Sequence, residues 1–191
     1  MTMRIPFALE EQEWKWPLRR YEELIAQNFL TEEDHIELIG GKLYQKMAKG
    51  DLHAAIVRIS TRYLSRRHPD YEVSAEQPIR LPANDSRPEP DLTVCTYRKD
   101  GYATRAPEPA DIFLVIEVAD SSLTRDRTLK ATDYAQAKLG EYWIINVQAR
   151  QVEVYTQPED DRYQHIHTYA AGTTFDSPFN GSTMVDDLFP A

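Results

Sequence analysis

The chain has 191 residues, 41% of them hydrophobic, enough to bury one substantial core, and its 12 Pro and 7 Gly are too few for a low-complexity chain. With 22 Lys and Arg against 31 Asp and Glu, the formal charge is -9; the average field repels polyanions and excludes a general nucleic-acid-coating role, so any such contact needs a local basic patch. A lone cysteine, Cys95, excludes an internal disulfide framework and a cysteine-based zinc site and fits a reducing compartment.

Residues Met1 to Trp16 lack the apolar stretch of a signal peptide. The longest strongly apolar run, Ile112 to Ile116, is too short to span a bilayer, which predicts a cytoplasmic protein without a membrane partner. One domain is expected over 1–191, with an N-terminal helical cap over 1–35 and a core over 36–191.

Pro17 can open a helix whose apolar positions Leu18, Tyr21, Leu24, Ile25 and Phe29 recur at helical spacing, and Thr31-Glu-Glu-Asp reads as a second, short helix start. Ile36-Glu-Leu-Ile and Lys42-Leu-Tyr flank Gly40-Gly41, a two-residue turn signal that predicts a β-hairpin with Glu37 in its first strand. From Asp51 to His68 the pattern is helical, with Ile56, Ile59, Tyr63 and Leu64 toward a core and Pro69-Asp70 as the stop. Short β-rich segments follow at Tyr71 to Ala75, Pro78 to Leu81 and Leu92 to Thr96, with a loop from Ala83 to Pro90.

The run Ile112-Phe-Leu-Val-Ile has no polar alternation and reads as a central strand covered on both faces. A helix is expected from Asp126 to Leu139, closed by Gly140 as the residue past its end. Strands over Tyr142 to Val147 and Val152 to Tyr155 flank the turn Gln148-Ala-Arg, and two more, around Tyr163 to Tyr169 and Thr173 to Phe175, complete a curled sheet.

Two carboxylates stand where chemistry is expected. Asp91 follows Pro90 at the start of one β segment, and Glu117 ends the apolar strand 26 positions later (117 minus 91). A carboxylate closing an apolar run needs a partner or a metal to offset its desolvation. Hard oxygen ligands suit Mg²⁺ or Mn²⁺, and phosphodiester hydrolysis also needs a cation near the metal to orient water and offset phosphate charge. Lys130 is the candidate, since Asp126, Lys130 and Tyr134 fall at i, i+4 and i+8 of the expected helix; a plain Asp126–Lys130 surface pair is the alternative.

Further residues are open to two readings. Glu37 is either another acidic ligand or a polar strand residue facing water, and His53 either a catalyst or a cap or core contact. Gln77 either positions a water or bonds its neighbours. Arg58, Arg62 and Arg66 share one helix face that either tracks a nucleic-acid backbone or is simply solvated. There is no Gly-rich phosphate loop, His-Glu-x-x-His or G-x-S-x-G, and the five His are too scattered for a zinc set.

Taken together, Pro90-Asp91, Ile116-Glu117-Val118-Ala119-Asp120-Ser121-Ser122, Asp126 to Lys130 with Tyr134, and Glu141-Tyr142-Trp143-Ile144 resemble the putative restriction endonuclease family of the PD-(D/E)xK nuclease superfamily. Glu37-Leu-Ile-Gly-Gly-Lys-Leu and His53 fit that family's N-terminal part, and the resemblance spans about residues 17 to 187. It implies an α/β (α+β) core with a mixed curled sheet flanked by helices, a Mg²⁺-dependent endonuclease acting on DNA, and a homodimer. The superfamily pattern would place Lys at position 119; Ala119 stands there, so the activity would rest on Lys130 from the following helix. A catalytically inactive dimer that keeps the fold as a nucleic-acid or protein binding module is the other function compatible with that departure.

Overall fold

The computed structural model describes residues 13–191, so the reading of Met1 to Trp16 lies outside the described residues up to position 12. In chain order, α1 (Leu18–Ala26) leads through a single 3₁₀ turn, Glu32–Asp34, into β1 (Ile36–Ile39) and β2 (Lys42–Gln45). Leu18 and Tyr21 are buried against Leu38 of β1 in a small cluster of their own. The helix stops at Ala26, and Asn28 turns into the left-handed region (φ 56°), so Phe29 leaves the helical face expected for it and is 72% exposed. Thr31 and Asp34 do form the reciprocal cap, but on that one 3₁₀ turn. Both glycines of the predicted hairpin have positive φ (58° and 77°), the conformation a two-residue turn matched to strand twist requires.

Next come α2 (Asp51–Arg67), β3 (Tyr71–Ala75), β4 (Leu92–Thr96) and β5 (Ile112–Ala119). The expected strand over Pro78 to Leu81 does not form. Pro78 has no N–H; Ile79 and Arg80 donate to Pro88 and Pro107 respectively (3.0 and 2.8 Å), and only Leu81 makes an isolated bridge, to Ser86. Ile79 and Leu81 are nonetheless fully buried.

A composite helix, α3, follows β5: an α-helical start (Leu123–Arg125), a π-helical turn (Asp126–Lys130) and an α-helical end (Ala131–Gln136). It begins earlier and ends earlier than the sequence predicts. Lys138 takes the left-handed conformation (φ 60°) while its N–H bonds Ala135 O and that of Leu139 bonds Tyr134 O. This closure uses Lys138 instead of Gly140, which lies beyond it.

The remaining strands are β6 (Glu141–Asn146), β7 (Gln151–Glu159), β8 (Arg162–Ala170), β9 (Thr174–Ser177) and β10 (Gly181–Met184). Six of them form one mixed sheet in the order β3-β4-β5-β6-β7-β8. Only β5 and β6 run parallel, because α3 carries the chain across between them; the other neighbours are antiparallel. Against expectation, β9 does not extend this sheet: it pairs with β10 in a separate hairpin and lays Phe175 on Trp143, ring centroids 5.1 Å apart.

Each face of β5 meets a different apolar layer. Leu114, Ile116 and Val118 pack with α2 residues Ile56 and Leu64, with Trp143 and with Leu188. Val115 and Ala119 pack with Tyr134, Ala135 and Tyr142 beneath α3. Glu117 sits between Ile116 and Val118 at the end where α3 departs, the usual place for a site in a sheet with a crossover.

Candidate active site

The pairing of β4 with β5 places the two predicted carboxylates. Leu92 pairs with Ile116 at the end of the β4–β5 ladder, so Asp91 and Glu117 each lie one residue beyond that pair, at neighbouring strand ends. Both are buried, and both line a cleft shared with Glu37, Lys49, His53, Asp126 and Lys130.

Asp91 is held from three directions. The backbone N–H of Val118 donates to Oδ2 at 2.8 Å, His53 Nε2 lies 3.0 Å from the same oxygen, and Lys49 Nζ is 2.9 Å from Oδ1. Glu117 is held through one oxygen only: Lys130 Nζ donates to Oε1 at 2.8 Å and the Tyr134 hydroxyl at 2.6 Å. Among the described residues Oε2 takes no hydrogen bond, although it faces the cleft.

The π-helical turn makes this possible. The wider i to i+5 turn brings residues five apart nearer to one side than an α-helix does, and Arg125 and Lys130 both line the cleft. Arg125 Nη2 donates to Glu37 Oε1, and Lys130 Nζ is 3.8 Å from Glu37 Oε2. The expected alternative, a surface pair of Lys130 with Asp126, is not what forms: both side chains are buried, and Asp126 accepts from the Ser122 hydroxyl at 2.5 Å.

These contacts separate the titrations of neighbouring acids. Burial pushes Glu117 up to about 8; Lys130 opposes this, and the negative charges of Asp91 and Asp126 add to it. Burial also raises Asp91, but the hydrogen bond from His53 and the charges of Lys49, His53 and Lys130 outweigh it and hold the carboxyl down at about 2. Burial works against the Lys130 ammonium, yet Glu117, Glu37 and Asp126 hold its proton more firmly than usual. Asp126 is raised, first by burial.

The other predicted residues divide between this site and elsewhere. Glu37 does not face water: it is 3% exposed, and its Oε2 accepts the N–H of Glu89. His53 is buried in the first turn of α2 on Asp91, with Nδ1 lacking a hydrogen-bond partner among the described residues. Gln77 lines a separate depression with Ser74, Thr93 and Tyr102, outside the cleft. The arginine stripe is also apart: Arg58 is exposed, and Arg62 and Arg66 line a surface hollow with Tyr63 and Arg67, about 14 and 20 Å along the helix from His53 at about 1.5 Å per residue.

Sequence reasoning missed Lys49, Arg125 and Glu89, all of which line the cleft. Arg125 lies off the Lys130 face in an ordinary helix, and nothing in the pattern announces the π turn. Glu89 was legible as the acid two positions before Asp91, and Lys49 as the last cation before the Gly50-Asp51 helix start.

The sequence profile of the Uma2 family, described as "Putative restriction endonuclease", matches residues 18–183. The chain belongs to this family. Its fold is also that of a solved protein from Anabaena variabilis described as a putative nuclease belonging to DUF820: TM-score 0.68, 18% sequence identity, covering 91% of this chain and 97% of that one. Comparison with curated proteins gives no match. Family and fold together are those of a nuclease-like protein.

Within this Uma2-family chain, Ala119, two residues past Glu117, is 1% exposed and packed under α3. The donor set suits a hard cation. Glu117, Asp91 and Asp126 bring carboxylate oxygens to one cleft, and the free Oε2 of Glu117 is open to a ligand. The ligand atoms that lie closest together are those of His53, Glu76 and Asp91, all within 4.8 Å of one another, and no other such cluster of three occurs among the described residues. Among the described residues no helix is long and apolar enough to cross a membrane.

Proposed function

We propose that this protein is a Mg²⁺- or Mn²⁺-dependent endonuclease of the PD-(D/E)xK type that hydrolyses phosphodiester bonds in DNA. The observation that carries this reading is the convergence of Asp91 and Glu117 on one cleft, with Lys130 Nζ 2.8 Å from Glu117 Oε1. Asp91 and Glu117 would hold the ion, which supplies Lewis acidity at the scissile phosphate when bound. Lys130 would orient the attacking water and offset charge as the water oxygen bonds phosphorus and the P–O bond to the leaving sugar oxygen breaks. Tyr134 fixes the Glu117 rotamer through Oε1, leaving Oε2 toward the cleft. Arg125 and Glu89 hold Glu37 beside Lys130, so the ammonium is steadied by two carboxylates.

A lysine displaced from position 119 to position 130 supports catalysis only if it reaches the same carboxylate, and Lys130, at the end of the π-helical turn, lies 2.8 Å from Glu117 Oε1. The lone buried Cys95 fits a reducing cytoplasm. DNA would meet the basic face of α2 at Arg62 and Arg66, the one expected patch in a chain of charge -9.

Plasmid nicking tests the reading. Purified protein with Mg²⁺ or Mn²⁺ converts supercoiled plasmid to open circles, and Asp91→Ala and Glu117→Ala do not. Intact DNA and RNA at every protein and metal concentration would favour the non-catalytic binding module, for which metal binding at Glu117 is not required.

A further inference from the structure

Resting on the metal site just proposed, the geometry points to Lys49 as a built-in competitor for the divalent ion: its ammonium holds the cation place on Asp91 and has to withdraw before a metal is seated there. Both oxygens of Asp91 have partners. Oδ2 receives the Val118 N–H and faces His53 Nε2, and Oδ1 faces Lys49 Nζ at 2.9 Å. The lone-pair position left over is on Oδ1, beside the Lys49 ammonium, so a divalent ion coming to this carboxylate meets that charge first.

Two of the three partners are fixed. Val118 N–H belongs to the backbone of β5 between two paired strands, and His53 is 5% exposed in the first turn of α2. Lys49 differs on both counts. It lies in residues 46–50, which form neither helix nor strand, and its side chain is 37% exposed.

The same segment is pinned at both ends by acids that flank Asp91. Lys46 Nζ is 2.7 Å from Glu89 Oε2, and Lys49 Nζ is 2.9 Å from Glu76 Oε1 as well as from Asp91. Of these pairs, Lys49–Glu76 is exposed on both sides and so weak and salt-sensitive, and no helix or strand hydrogen bond has to break for the Lys49 side chain to turn outward. Lys130 does not have this freedom: it is buried, helical and bonded to the other carboxylate, where Glu117 Oε2 stays open. One lysine therefore belongs to the assembled site, and the other stands in for the missing charge until the ion arrives.

A competitor lowers the apparent affinity of a ligand by the fraction of molecules in which the place is free. Calorimetric titration with MnCl₂ on the full chain, without DNA, reads this directly for wild type, Lys49→Ala, Lys49→Arg, Glu76→Gln and Asp91→Ala. Lys49→Ala should lower the Mn²⁺ Kd by about fivefold to tenfold, and Glu76→Gln, which frees one anchor of the ammonium, by about twofold. Lys49→Arg, keeping the charge, should stay within about twofold of wild type. An unchanged or raised Kd in Lys49→Ala overturns the inference. A raised Kd in Glu76→Gln does so too, because Glu76 would then be a ligand instead of an anchor. Asp91→Ala separates the layers: if it abolishes Mn²⁺ binding while Lys49→Ala changes nothing, the metal site stands and only the competitor role falls. If Asp91→Ala binds Mn²⁺ as wild type does, the site itself is wrong.

Discussion

Two regions of this molecule bury carboxylates equally deeply and use them differently. On β6 and β7, Glu141 and Glu153 are each 2% exposed; at the end of β5, Glu117 is 3% exposed, so depth does not distinguish them. Satisfaction does. Glu141 accepts from Trp143 Nε1 through Oε1 and from the Phe179 N–H through Oε2 (2.6 and 2.8 Å). Glu153 is clasped by Arg127 on both oxygens, with the Tyr155 hydroxyl adding a bond to Oε2. Glu117 is bonded on one oxygen and crowded by Asp91 and Asp126, whose charges raise it further. A fully bonded buried acid fixes structure; a half-bonded one among other acids is set up to receive a cation.

Perturbing each region in turn sharpens the contrast. The largest effect is expected from Asp91→Ala and Glu117→Ala, which should remove metal-dependent nicking altogether, whereas Glu141→Gln should leave nicking by the folded fraction unchanged. Lys130→Met keeps the bulk of the side chain and removes its charge; turnover of nicked plasmid should fall by about a hundredfold or more, a loss typical of removing one group that stabilises developing charge.

The pH dependence follows from the opposite shifts of the two acids. Glu117 is raised from the usual 4.5 to about 8, so in the metal-free protein its stabilising contribution is complete below 4.5 and is lost as pH rises through about 8. A cation requires the ionised form, so Mn²⁺ affinity should climb with pH up to about 8, with proton uptake by the buffer visible as a buffer-dependent heat. Asp91 contributes in the other sense: lowered to about 2 from 3.8, its stabilisation is present above 3.8 and is lost as pH falls through about 2. In Glu117→Gln the climb between pH 5 and 8 should flatten; an unaltered climb would assign it to another group.

Stability should respond in the reverse order. Arg127→Ala strips Glu153 of its charged partner and should cost about 2 kcal/mol in urea unfolding, while Glu117→Gln, an isostere of the protonated acid, should stay within about 1 kcal/mol of wild type in the absence of metal. If the two costs prove equal, the distinction between structural and receptive acids fails. The smallest effect is expected at the arginine stripe: Arg62→Ala and Arg66→Ala should each lower the slope of log affinity for DNA against log salt by about 1, with nicking at saturating DNA unchanged.

Much of the fold could be read from local pattern. The β5 run without polar alternation is a strand covered on both faces, and Gly40-Gly41 makes the expected hairpin. What misled was pattern that had a different partner. Ile79 and Leu81 alternate as a strand would, but proline-rich loops take their backbone groups. Thr173 to Phe175 does lie in an extended stretch, yet it folds over the sheet with β10 instead of joining its edge.

The site was legible to the extent that it is encoded by residue type. Asp91 and Glu117 stood out because a carboxylate at the end of an apolar strand needs a reason, and both line the same cleft. Lys130 was reachable from helical spacing, though its true alignment depends on a π turn that periodicity does not announce. Lys49 and Arg125 escaped notice because each is one cation among many in a loop or helix start, and only the tertiary fold gives them an acid to meet. Gln77 went the other way: its position beside Glu76 suggested the cleft, but the chain reverses at Glu76 (φ 55°) and Gln77 lines a separate depression.

The most direct measurement is an anomalous difference map from crystals soaked in MnCl₂ at pH 8. One strong peak is expected beside the carboxylates of Asp91 and Glu117, with the Lys49 side chain turned away from Asp91 Oδ1. A map with no peak there, or with Mn²⁺ bound elsewhere while Glu117 Oε2 stays bare, would contradict the proposed metal site.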